Sequence, residues 1–232
     1  MIDIFKGDEP DAVPMPGWLN YGIQLNRLAR YAEARAAHQR VRAQARRQEN
    51  ATMLAVSCLG VAHACRELGD LPCARGALEE SARALRTFPP EYRGRADLLR
   101  ERGLLAAAGG DLAGARQLLA GAVAIHAKVA EAHASRVETL LALAGLDQRA
   151  GDPAAAEGHA REALAQAEAM RRGMPHSGWV GLSQLELGRL LESGGDTAAA
   201  RRLVVEALGN MAPTLGEAHP AVLEARRRLA TR

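Results

Sequence analysis

Aromatic side chains are nearly missing from this chain: two Trp, two Phe and three Tyr make up 3% of its 232 residues. An interior without large rings must be built from Ala, Leu and Val, which suits closely packed helices. The same scarcity removes the stacking platforms that single-stranded nucleic acid needs. Lysine is almost as rare, with only Lys6 and Lys128 among thirty basic residues. That Arg-plus-Ala skew fits a high-GC genome and warns against reading every arginine as functional. The formal net charge of +3 is too small to argue for nucleic acid.

No apolar run approaches the roughly 18 residues of a membrane helix, and the N-terminus lacks a basic stretch followed by an apolar core. A cytoplasmic protein with no membrane partner is expected. The only cysteines are Cys58, Cys65 and Cys73. An odd, clustered set fits reduced, buried packing residues better than a disulfide framework. His63 lies near them, but two residues from Cys65 is a helical rotation of about 200°, so these side chains are not expected to share a metal ion. Catalytic motifs are missing too: there is no G-x-S-x-G, no H-E-x-x-H and no G-x-x-x-x-G-K. No catalytic residue, metal or cofactor is expected.

What is present is a ruler. Gly69-Asp70, Gly110-Asp111, Gly151-Asp152 and Gly195-Asp196 recur at intervals of 41, 41 and 44 residues. Each is followed at a fixed offset by Ala74, Ala115, Ala156 or Ala200. Projected upstream, the ruler lands on Ala29-Arg30, with Ala34 at the second mark, so a fifth copy precedes the other four. Before each mark runs a helical apolar pattern: Trp18, Tyr21, Gly22, Leu25; Cys58, Val61, Ala62, Cys65; Leu99, Gly103, Ala106; Leu140, Leu143, Ala144; Leu187, Gly188, Leu191. After each mark a second apolar helix follows, as in Ala74, Leu78, Ser81 and Leu85. Gly at the junction predicts a left-handed helix end and Asp predicts the cap of the next helix. Each copy then reads as an antiparallel helical hairpin, and an array of hairpins buries its core between neighbours.

Trp18-x2-Tyr21-Gly22-x2-Leu25 resembles the first helix of the tetratricopeptide repeat (TPR) family, with Leu and Tyr exchanged. The period exceeds the family's usual 34 and looks like the longer kinesin-light-chain type common in bacterial proteins. Leu215-Gly216-Glu217-Ala218-His219-Pro220 resembles the L-G-x2-H-P linker of that type, and His133 and His176 fall in nearly the same register. The resemblance implies an all-α right-handed solenoid of five hairpins, with repeats at about 15–49, 50–88, 91–129, 131–172 and 176–213 and a capping helix at 217–231. Together these make one domain over 15–232, preceded by an acidic, proline-containing arm at 1–14.

In such proteins ligands lie against the first helix of each hairpin, opposite its packing face. Carried over by position, the groove would present Asn26, Arg27, Leu59, His63, Arg66, Arg100, Leu104, Leu141, Gln148, Arg149 and Arg189. Every copy contributes one arginine, a ladder suited to an extended acidic peptide. Locally, Glu67, Asp97, Glu138 and Glu192 could neutralise it. The arginines Arg40, Arg42, Arg46 and Arg47 read instead as a solvated outer helix face. The resemblance thus implies a non-catalytic scaffold or adaptor for a protein or peptide segment. A sensory or regulatory module is the first alternative, and an accessory or unusual biosynthetic enzyme using a pocket around His63 is the second. The oligomeric state stays open, with homodimerisation through the last helix or the arm as one option.

Overall fold

The computed structural model describes residues 14–128 and 133–230. The acidic arm expected at 1–14 lies, apart from Pro14, outside the described residues. Among the described residues there are eleven α-helices and no strand: α1 Met15–Arg27, α2 Tyr31–Arg47, α3 Ala51–Glu67, α4 Leu71–Ala84, α5 Arg93–Ala108, α6 Leu112–His126, α7 Ala134–Arg149, α8 Pro153–Arg171, α9 Gly178–Ser193, α10 Thr197–Leu215 and α11 Pro220–Ala230. They fall into two compact units, residues 1–105 and 106–232. In the first, α1 packs on α2, α2 on α3 and α3 on α4. In the second, neighbours from α6 to α11 pack in chain order. The fold is all-α and built of consecutive hairpins.

The corners have the conformation their residues predict. Gly69, Gly110, Gly151 and Gly195 all have positive φ, between 78° and 91°. The Asp that follows each one accepts a hydrogen bond from the backbone N–H three residues on, at Cys73, Gly114, Ala155 and Ala199. One side chain thereby satisfies a donor that the helix start would leave orphaned. Two of the linker histidines do similar work: the His133 ring accepts from Arg136 N at the start of α7, and His219 Nδ1 accepts from Ala221 N at the start of α11. At α9 the cap is Ser177, and His176 precedes it exposed.

Small residues let the helices approach. A Cβ on Gly181 would lie 2.4 Å from Met211 Cγ and 2.8 Å from the Ala207 carbonyl oxygen. In the first unit, a Cβ on Gly60 would lie 2.4 Å from the His38 ring, which is itself buried. The packing faces read from the sequence at α3, α4 and α7 are buried throughout: Cys58, Val61, Ala62 and Cys65; Ala74, Leu78, Ser81 and Leu85; Leu140, Leu143 and Ala144.

Two expectations are corrected here. In α5 the expected face of Leu99, Gly103 and Ala106 is only partly right, because Leu99 and Ala106 are half-buried while Arg100 and Glu101 are buried. Apolar periodicity is blind to charged residues that pair with each other inside the fold. The cysteines are not three separate thiols either: Cys65 of α3 and Cys73 of α4 form a disulfide with Cα atoms 5.9 Å apart, leaving Cys58 as the free thiol. Helix periodicity places Cys65 on a buried face but cannot reveal that the corner folds Cys73 back beside it.

Candidate binding surface

In the first unit the first helices carry a cluster of charge around one carboxylate. Glu101 of α5 is 2% exposed and accepts a hydrogen bond from Arg100 Nη2 at 2.9 Å. His63 Nδ1 lies 3.4 Å from the same oxygen, and Arg66 Nη2 lies 3.6 Å from the other. Burial alone would push the Glu101 carboxyl up. Arg100, His63 and Arg66 outweigh it and hold the group well below the usual carboxylate range. Arg66 is bonded further to Glu67 at 2.5 Å. The ring of Tyr31 stands 6.0 Å from that of His63.

A second polar line runs behind this cluster. The His38 ring lies against Gly22 and Gly60, and its Nε2 is 3.3 Å from Asn26 Nδ2. Burial, reinforced by His63, pushes His38 down to about 4, so it is neutral at pH 7. Asn26, Arg27 and Leu104 are half-buried. Burial also lowers the Arg27 guanidinium from its ordinary value. Leu59 is corrected: it is 7% exposed and belongs to the core with Val61, Ala62 and Leu98. The resemblance places Leu59 in the groove because α3 reads as having one packing face, whereas α3 packs against both α2 and α4.

The second unit places its expected residues differently. Leu141 and Gln148 are half-buried, and Arg149 is exposed with no ion pair to the described residues. Arg189 is held by Glu186 at 2.6 Å and by Glu224 of α11, its Nε 2.8 Å from Oε1. Next to Gln148 lies a group that the sequence does not announce. Asp147 is fully buried, with Arg116 Nε and His159 Nδ1 each 2.7 Å from its oxygens. A carboxylate at that distance orients an imidazole as general-base sites require. Among the described residues no hydroxyl or thiol hydrogen-bonds to His159. A shallow hollow beside it is lined by Leu112, Arg116, Gln117, Ala120, Leu146 and Ala150.

The outer arginines are corrected in part. Arg46 grips Glu80 with two hydrogen bonds, at 2.6 and 2.7 Å, and Arg42 Nε adds a third at 2.7 Å. Glu80 is 8% exposed; burial would raise its carboxyl, and these arginines overcome that to hold it down at about 2. Arg40 lies over the Trp18 ring at 4.4 Å. This helix face is therefore stitched to α1 and α4 rather than merely solvated. The sequence does contain a signal for such pairs. Partners in Arg42–Glu80, His63–Glu101 and Arg189–Glu224 stand 38, 38 and 35 residues apart, close to one repeat.

No family model matches the sequence, and no curated protein matches it. Solved structures do match. BtubC (BKLC) of P. vanneervenii is 21% identical, with a TM-score of 0.65 over 87% of this chain and 81% of that one. A thermophilic TPR protein of Thermus thermophilus is 20% identical, with a TM-score of 0.64 over 94% and 98%. The TPR-like repeats of a putative Podospora anserina kinesin light chain are 21% identical, with a TM-score of 0.56 over 90% and 99%. At these identities the likeness establishes the fold, which is the TPR-like helical repeat.

Proposed function

We propose that the chain is a non-catalytic scaffold or adaptor that binds extended peptide segments against the first helices of the hairpins within each unit. The observation that carries the proposal is the TPR-like fold shared over most of the chain with proteins of helical-repeat architecture. Protein interaction is the general use of such a surface. The polar groups on α3 and α5 add a reason for selectivity. A guanidinium paired with a carboxylate makes a nearly neutral pair but keeps N–H donors to spare. Arg66 beside Glu101 therefore suits backbone carbonyls of a peptide, whereas exposed Arg149 suits an acidic side chain. Because the ligand must be ordered on binding, affinity is moderate and exchangeable.

Selection of peptides from a random library on the full chain tests this. Extended segments with acidic residues should be enriched. Arg149→Ala should weaken acidic sequences by about fivefold, and Arg66→Ala should weaken all of them. Unchanged affinity in the variant carrying both Arg66→Ala and Arg149→Ala would sink the arginine row.

A further inference from the structure

One corner is chemically unlike the others. Five residues before the corner's second position and three after it stand Leu25 and Glu33, Ala106 and Gly114, Asp147 and Ala155, or Leu191 and Ala199. Only the α3–α4 corner has cysteine at both, Cys65 and Cys73, and there they are bonded. Asp70 sits between them. Its carboxylate and the two sulfurs lie within 4.8 Å of one another, a grouping of potential metal ligands found nowhere else among the described residues.

We propose that this corner is a redox-gated site for a thiophilic divalent cation of the Zn²⁺ class. In the reduced chain the Cys65 and Cys73 thiolates and the Asp70 carboxylate supply three ligands of a tetrahedral ion, and water supplies the fourth. Thiolates at about 2.3 Å from such an ion stand about 3.8 Å apart, a separation within reach of two residues whose Cα atoms are 5.9 Å apart. Cys73 occupies the third position of α4, where the helix dipole favours a thiolate. The Asp70 carboxylate already accepts the Cys73 N–H at 3.1 Å, and its other oxygen lies 3.9 Å from Arg35 Nη1. Cys58 stays out of the site: it is fully buried, and burial with Glu80 nearby pushes its thiol up to about 12.

Opening the site requires a two-electron thiol reductant, such as a small dithiol. Its thiolate attacks Sγ of half-buried Cys73 rather than fully buried Cys65. The S–S bond breaks and Cys65 leaves as a thiolate. The reductant's second thiol then attacks the mixed disulfide, releases Cys73 and closes its own disulfide. Two electrons pass to the protein. The two protons lost by the dithiol rest on the protein sulfurs and are released to solvent when the ion binds. Either the S–S bond or the ion ties the end of α3 to the start of α4.

The test is metal titration of the full chain, oxidised or dithiol-reduced and desalted, with Zn²⁺ against a chromophoric chelator and with Co²⁺ as an optical probe. The reduced chain should bind one ion with thiolate-to-cobalt charge-transfer absorption, and the oxidised chain none. Cys65→Ala and Cys73→Ala should each abolish that absorption. Asp70→Asn, which keeps a good helix cap, should weaken Zn²⁺ at least about tenfold. A reduced wild-type chain that binds no ion overturns the site whatever the variants do. So does binding that survives in both cysteine variants with unchanged helicity, and full affinity in Asp70→Asn removes the carboxylate from it.

Discussion

Two kinds of corner do the same job with different residues. At Gly69-Asp70, Gly110-Asp111, Gly151-Asp152 and Gly195-Asp196 the left-handed residue is glycine and the next side chain caps a helix. At Ala29-Arg30 the left-handed residue is alanine, with φ 57°, and Arg30 makes no side-chain cap. The backbone bonds are nonetheless alike: Arg30 N donates to Leu25 O at 2.9 Å, as Asp70 N does to Cys65 O at 2.8 Å. Helix packing and this turn bond therefore set the corner, while Gly and Asp only reduce its cost. Arg30 recovers part of the difference by pairing with Glu33 across two hydrogen bonds on the exposed first turn of α2.

The most severe test of this difference is to make a Gly-Asp corner resemble the first one. Gly110→Ala with Asp111→Ala forces alanine into the left-handed region and removes a cap, so urea denaturation should show a loss of about 2–3 kcal/mol. Gly110→Ala alone should cost about 1–2 kcal/mol, and Asp196→Ala alone about 1 kcal/mol. The reverse exchange adds a check of opposite sign: Ala29→Gly should stabilise by somewhat less than about 1 kcal/mol, since glycine loses more entropy on folding. If Ala29→Gly destabilises and Gly110→Ala is neutral, residue choice at corners is not about backbone conformation.

A smaller effect separates corners from the ion pairs that span repeats. Glu80 has its carboxyl lowered in the folded state, so it contributes stability that is full above about 4.5 and is lost as pH falls towards about 2. Acid titration of Glu80→Gln should give a shallower fall in stability across that window than the parent chain. Identical slopes would show that Arg42 and Arg46 add nothing there.

The corners were legible because their chemistry is local: glycine, aspartate and the following apolar helix are adjacent in sequence, and each acts on its own backbone. Even the disguised copy at Ala29-Arg30 appears once spacing is counted. Apolar periodicity misses Glu101, Glu80 and Asp147, because it scores them as exposed while each matters through partners in another helix. Arg100 shows the cost: assigned to the groove as a surface donor, it is 9% exposed and bonded to Glu101. The Cys65–Cys73 bond escaped for a related reason, since a cysteine count weighs number rather than the fold-back of a corner.

The proposed function rests on the first helices of the hairpins, and on α3 and α5 within the first unit, as the seat of an extended peptide. Hydrogen exchange on the full chain, with and without a peptide selected on it, tests that assignment most directly. Added protection is expected around His63–Glu67 and Asp97–Leu104, with little change along α4. Protection confined to α4, with α3 and α5 unaltered, would contradict it.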